Sequence, residues 1–149
     1  ANVMQQILAN NADAGGEGSS GGFILPEFTM CRDGILTSGL VASMLEQKEF
    51  QNAINMFEKY FQSRSKISIP VQYHDKTIER LKAKLCDRYE LDLLDGIKIK
   101  INSDSWALIR RSNTEDIIRL SLESTDMGIL KDKQTEITSL VNESYEETK

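Results

Sequence analysis

The alternation Ile97-Lys98-Ile99-Lys100-Ile101 constrains the fold of this chain more than any other stretch. Side chains on a strand point to opposite faces with a period of two, so the isoleucines share one face and the lysines the other. Such a strand needs cover on one side and water on the other, the habit of an antiparallel sheet with helices packed on a single face. Its neighbours follow the same pattern. NSDS at 102–105 turns the chain back into Trp106 and Leu108, polar residues at 110–116 interrupt, and Ile118, Leu120 and Leu122 resume the alternation. Upstream, Ile67 and Ile69 alternate within Lys66–Pro70, and the proline closes that strand. Ile78, Leu81, Leu85 and Tyr89 recur at helical spacing behind Asp75, a candidate cap, and Ile137, Leu140 and Val141 mark a last helix. The order β, α, β, β, β, α predicts an α+β domain with a four-stranded, mostly antiparallel sheet and two helices on one face.

The residues before it do not close on themselves. Val3, Met4, Ile7 and Leu8 make a short amphipathic helix that stops at Asn10 and Asn11. GGEGSSGG at 15–22 is a flexible loop leading into FILPEF at 23–28, a short strand near a sheet edge, broken by Pro26. Leu36, Leu40, Val41, Met44 and Leu45, then Ile54, Phe57 and Phe61, give two further helices. So few elements leave a sheet without its other strands. Residues 1–62 are therefore read as an incomplete α/β remnant that exposes apolar surface, SRSK at 63–66 as the linker, and 67–149 as the complete domain. With an opening at Ala1 and an amphipathic run almost at once, the chain reads as cut from something longer.

Composition narrows the partners. At 149 residues and 40% hydrophobic, the chain is not disordered, and a net charge of −5 is no nucleic-acid footprint. There is no charged-then-apolar leader and no apolar run near the roughly 18 residues that cross a bilayer, so a cytoplasmic protein with no membrane partner is expected. Cys31 and Cys86 are too few for a disulfide scaffold or a zinc site and read as buried small apolar residues. His74, the single histidine, reads as a surface cap residue beside Asp75, which leaves no Ser/His/Asp or Cys/His set. No GxxxxGKS or GxGxxG sequence occurs and no carboxylates have metal-ligand spacing, so neither a catalytic residue nor a metal site is expected in this chain.

Two segments are left that can bind. In RRSNTED at 110–116 there is no Gly or Pro to make a turn. Arg110 brings a planar fork of donors, Ser112 and Thr114 bring hydroxyls, Asn113 an amide, and successive backbone N–H groups can form an anion-binding concavity. A solvated turn made by Ser and Asn is the plainer alternative. In GGEGSSGG, Glu17 stands among nearly bare backbone, where it and Ser19 or Ser20 can bond sugar hydroxyls; the alternative is a linker.

GGEGSSGG, RDG at 32–34, DGIKIKI, and RRSNTE before IIRLSLES, in this order, resemble the C-terminal part of the α-D-phosphohexomutases, the phosphoglucomutase, phosphomannomutase and phosphoglucosamine mutase family. The GGEG and RDG wording is closest to archaeal-type members. The resemblance implies that residues 1 to about 62 end the third of four domains and that the remainder is the fourth, a TATA-binding-protein-like fold. That topology carries no DNA-binding function by itself. It implies an intramolecular phosphotransferase that interconverts hexose 1-phosphate and hexose 6-phosphate. The family's phosphoserine and aspartate-held Mg²⁺ lie in earlier domains, and a hexose 1,6-bisphosphate serves as intermediate and activator. By this likeness Arg110, Ser112, Asn113 and Thr114 match the phosphate-binding loop, Glu17 the sugar-recognition carboxylate, with Ser19 and Ser20 competing for the family serine, and Arg32 and Asp33 structural support. The chain alone, lacking the first two domains as its partners, is expected to be inactive; a stand-alone sugar-phosphate or anion-binding module is the other reading. The family commonly has Pro after Ser-Asn-Thr-Glu. Here Asp116 stands instead, placing a carboxylate near the expected dianion.

Overall fold

The computed structural model describes residues 2–16 and 22–149. It divides the chain into two compact units, Ala1–Met56 and Phe57–Lys149.

The first unit opens with α1 (Asn2–Asn10). Asn11 ends it at φ 47°, a left-handed conformation that Asn tolerates, and Ala12 N–H donates back to Ile7 O at 3.0 Å. β1 (Gly15–Gly16) pairs antiparallel with β2 (Phe23–Ile24). Phe23 O then accepts from Asp33 N–H at 3.1 Å, which brings the RDG segment to the sheet. There Asp33 caps α2 (Gly34–Met44), its Oδ1 accepting from Ile35 N–H at 2.9 Å and Leu36 N–H at 2.8 Å. Neither α2 nor α3 (Lys48–Phe57) buries a residue, and Ile35 is 88% exposed. Among the described residues of this unit, Ile7 and Ile24 are the buried apolar side chains, so the unit does present the bare apolar surface its sequence predicts.

The second unit runs β3 (Phe61–Ser68), a 3₁₀ turn at Val71–Tyr73, α4 (His74–Leu85), β4 (Glu90–Asp92), β5 (Ile97–Asn102), β6 (Ser105–Arg111), β7 (Ile117–Ser124) and α5 (Met127–Glu146). The sheet order is β3-β7-β6-β5-β4, each neighbouring pair antiparallel. This is an α+β unit, but with five strands where the sequence predicts four. The added strand is β4, whose Leu91 lies opposite Ile99. Three residues are too few to display a period of two, and β4 exists because the edge of β5 offers it a backbone to pair with.

One face of the sheet is dry. Ile97, Ile99, Ile109, Ile118 and Leu120 pack with Leu81 and Leu85 of α4 and Leu130, Ile137 and Val141 of α5 in one buried cluster. Lys98 and Lys100 remain exposed on the other face, as the alternation requires. α5 runs on for 20 residues behind Asp126, whose Oδ1 accepts from Gly128 N–H at 2.7 Å and Ile129 N–H at 3.0 Å. None of the described helices is long and apolar enough to cross a membrane.

Several sequence expectations change here. Residues 63–66, read as a linker, lie within β3, Ser63 opposite Leu122 and Lys66 opposite Arg119. α5 also grips them: Ser63 Oγ donates to Gln134 Oε1 at 2.8 Å and Gln134 Nε2 donates to Ser65 Oγ at 2.9 Å. A polar run on a strand with one wet face looks like a linker when its partners are unseen. His74 is a core residue, 1% exposed, with Nε2–H donating to Ile69 O at 2.8 Å. A carbonyl only accepts, which fixes the proton on Nε2. Asp75 stands in the first turn of α4 and does not cap it. Cys31 and Cys86 are both exposed rather than buried, since Cys31 lies in the connection between β2 and α2 and Cys86 at the end of α4, outside the packed stretches.

Candidate functional site

β6 ends at Arg111 and β7 begins at Ile117, so the polar stretch forms the connection between two central strands. Ser112 explains how it turns without Gly or Pro. Its N–H donates to Ile117 O at 3.0 Å, and its Oγ, in a side chain 4% exposed, accepts from Thr114 N–H at 3.4 Å and Glu115 N–H at 3.2 Å. The hydroxyl supplies what a backbone carbonyl supplies in an ordinary turn. Two of the N–H groups expected to form an anion concavity are therefore directed inward, onto Ser112.

Asp116 has a structural task. Its backbone O accepts from Ile69 N–H at 3.0 Å and its Oδ1 accepts from Val71 N–H at 2.8 Å, tying the loop to the start of the 3₁₀ turn. The carboxylate that looked from sequence like a charge set against an anion is directed to a backbone donor. Asp116→Ala is expected to destabilise the chain by about 1 kcal/mol, since the bond is charge-assisted but exposed. Asp116→Asn, which keeps an oxygen acceptor, loses less than half of that; urea unfolding of the three proteins checks both values.

Four cations around the loop are met by carboxylates. Arg110 Nη1 lies 3.2 Å from Asp95 Oδ2, and Arg111 pairs with Asp75. Arg119 Nη2 donates to Glu115 Oε2 at 2.6 Å, and Lys66 Nζ lies 3.6 Å from Glu115 Oε1. The Arg119 hydrogen bond, then the Lys66 charge, hold the Glu115 carboxyl below its ordinary range.

Arg110 and Arg111 open on a hollow of about 510 Å³. One wall is α4, through Asp75, Ile78 and Glu79; a second is the turn before β5, through Leu94, Asp95 and Gly96; Asn113 completes the rim. The second wall has a tight backbone. Asp92 Oδ1 accepts from Leu94 N–H at 3.0 Å, and Gly96 follows at φ +93°. A Cβ on Gly96 would lie 2.3 Å from Ile109 O and 2.9 Å from Arg110 Cγ, so only glycine lets this turn lie against β6.

Of the residues singled out in sequence, Arg110 and Asn113 line the hollow; Ser112 is buried within the loop it shapes, and Thr114 is not among the lining residues. Glu17, Ser19 and Ser20 lie outside the described residues. Asp95 and Gly96 are site residues that the sequence marks only through Asp-Gly ahead of an alternating strand, a turn signal. Among the described residues no group of three His, Cys, Asp or Glu side chains is placed to hold a metal ion.

Fold and hollow together define an α+β module that presents two guanidinium groups, each balanced by a carboxylate, at the end of a sheet. Known proteins resemble the chain on either side of this site. Residues 1–61 match the family described as phosphoglucomutase/phosphomannomutase, alpha/beta/alpha domain III. A "probable phosphoglucosamine mutase" of Methanobrevibacter smithii is 35% identical over 84% of this chain and 29% of its own length. A phosphoglucomutase/phosphomannomutase of Thermococcus kodakarensis is 36% identical over 82% of this chain and 27% of its own. In three dimensions, a phosphoglucomutase/phosphomannomutase family protein from Burkholderia thailandensis shares the fold at TM-score 0.72 and 19% identity, covering 95% of this chain and 30% of the other. These matches make the chain similar to a C-terminal portion of the phosphohexomutases. It spans less than a third of the length of these relatives.

Proposed function

We propose that this chain supplies the substrate-gripping surfaces of a hexose-phosphate mutase, an isomerase that moves a phosphoryl group between C1 and C6. Residues 1–61, matched by domain III of the family, bring Glu17 with Ser19 or Ser20 to the sugar hydroxyls. The five-stranded unit holds the phosphate that is not being transferred. Arg110 binds it through its fork of donors, Asn113 adds an amide, and Ser112 fixes the loop that carries both. Thr114, on the same loop, contributes by resemblance alone. A substrate that binds in two opposite orientations needs a grip indifferent to which end it holds, and a guanidinium reading only phosphate oxygens meets that need.

Bond making and breaking fall to parts of the protein beyond this chain, which alone is inactive. Mg²⁺ would polarise the transferring phosphoryl group there; the described residues provide no cluster of ligands for it, and no step runs through them to a metal. Holding and orienting the inert phosphate is what these residues do, and orientation lowers the barrier as well as the dissociation constant.

The observation that carries this reading is the convergence of Arg110 and Arg111 on one hollow beside a turn that only Gly96 can make. Titrating the 149-residue chain with inorganic phosphate should move amide NMR signals of residues 94–96 and 110–116, and Arg110→Ala should weaken binding at least tenfold. Shifts elsewhere, or an Arg110→Ala chain that binds equally well, would remove the basis for the proposal.

A further inference from the structure

We infer that Asp95 is a built-in competitor for Arg110, occupying the guanidinium until a phosphate displaces it and so setting how loosely the phosphate is held. The inference rests on the proposed phosphate grip and concerns a residue to which that grip assigns no part. Asp95 Oδ2 stands 3.2 Å from Arg110 Nη1, with both side chains about half exposed, at 56% and 51%. An anion arriving in the hollow can therefore reach the guanidinium and push the carboxylate into water.

Its position is imposed by the backbone. The Asp92 side chain holds the turn through Leu94 N–H at 3.0 Å, Gly96 lies at φ +93°, and the next residue, Ile97, is already in register with Ile109 of β6. Asp95 thus hangs between two fixed points within reach of the Arg110 side chain. Ordinary surface ion pairs lose much of their energy to side-chain entropy, so an incoming anion displaces this half-exposed one at little cost.

Carboxylate and phosphate oxygens compete for the same donors. While Asp95 occupies Arg110, the guanidinium is kept oriented toward the hollow, so little reorganisation is needed when phosphate arrives. Once phosphate is bound, the displaced carboxylate remains nearby and repels the dianion. The balance is a prompt but weak grip. For a ligand that must let go and turn end over end between two transfers, binding too tightly in the ground state would slow the cycle without helping the chemistry.

The test is a double-mutant cycle on the 149-residue chain, with inorganic phosphate as ligand and amide NMR shifts as readout. Asp95→Asn, nearly isosteric, should tighten phosphate binding by about three- to tenfold, and Asp95→Glu, which restores the charge, should stay within about twofold of the parent. In the Arg110→Ala background at least half of that gain, on a logarithmic scale, should vanish, because the competition acts through Arg110. A residue that only shaped the turn would give the opposite sign. If Arg110→Ala weakens binding but Asp95→Asn weakens it or leaves it unchanged, the competitor role is wrong and the grip stands. If Arg110→Ala itself changes nothing, the proposed grip fails and the competitor role fails with it.

Discussion

Gly96→Ala lowers the stability of the second unit by about 2–4 kcal/mol, the larger of the two stability effects expected of this protein. Two costs add. At φ +93° an L side chain strains the backbone wherever it points, and the new Cβ would lie 2.3 Å from Ile109 O, a backbone atom already fixed within the β5–β6 ladder. The neighbour cannot give way cheaply, because Ile109 is fully buried in the main cluster. For a unit of this size the midpoint of thermal unfolding should fall by about 10 °C or more, measured by circular dichroism. The displaced turn also carries Asp95 away from Arg110, so the phosphate-induced shifts at 94–96 should be lost in whatever fraction remains folded. An unchanged midpoint would mean that the turn is not tied to β6 as described.

Arg110→Ala, placed in a full-length mutase that contains this segment, lowers kcat/KM by about 10²- to 10³-fold. The substitution removes charge-assisted bonds to a dianion, each roughly twice as strong as a neutral one, and leaves phosphate oxygens facing a hollow with fewer donors. KM rises because ground-state binding is lost, and kcat falls because the other end of the sugar is no longer aimed. Arg110→Lys should recover only part of both, since an ammonium is a point charge without the planar fork. Steady-state assays with hexose 1-phosphate, followed in both directions, separate the two parameters. Kinetics indistinguishable from the parent would set Arg110 outside the substrate's path.

Ionic pairing at the loop bears on both results. Arg110, Arg111, Arg119 and Lys66 are all engaged by Asp95, Asp75 or Glu115. On the proposed grip, an anion enters the loop by replacing a carboxylate. Binding measured at high salt will look weak for two reasons, screening of the attraction and competition from the salt's own anion.

The sequence by itself determined the parts of this protein that depend on near neighbours in the chain. The period of two in Ile97–Ile101 specifies a strand with one dry face, the isoleucine and leucine stripes specify the helices that cover it, and Asn11 and Asp33 stop and start helices by local bonding. RRSNTED likewise marks a polar connection between two alternating strands, which Ser112 turns by local bonding. Tertiary structure alone decided the rest. β4 needed the free edge of β5, His74 was enclosed by the packing of the second unit, and 63–66 became strand when β7 and Gln134 lay against it. Asp116, 45 residues from Val71 in sequence, acquired its task in the same way, and Asp95 met Arg110 only after two strands had paired. Periodicity and capping are written in short stretches of chain, whereas a partner for a charge is chosen by the fold, which brings together residues that the order of amino acids keeps far apart.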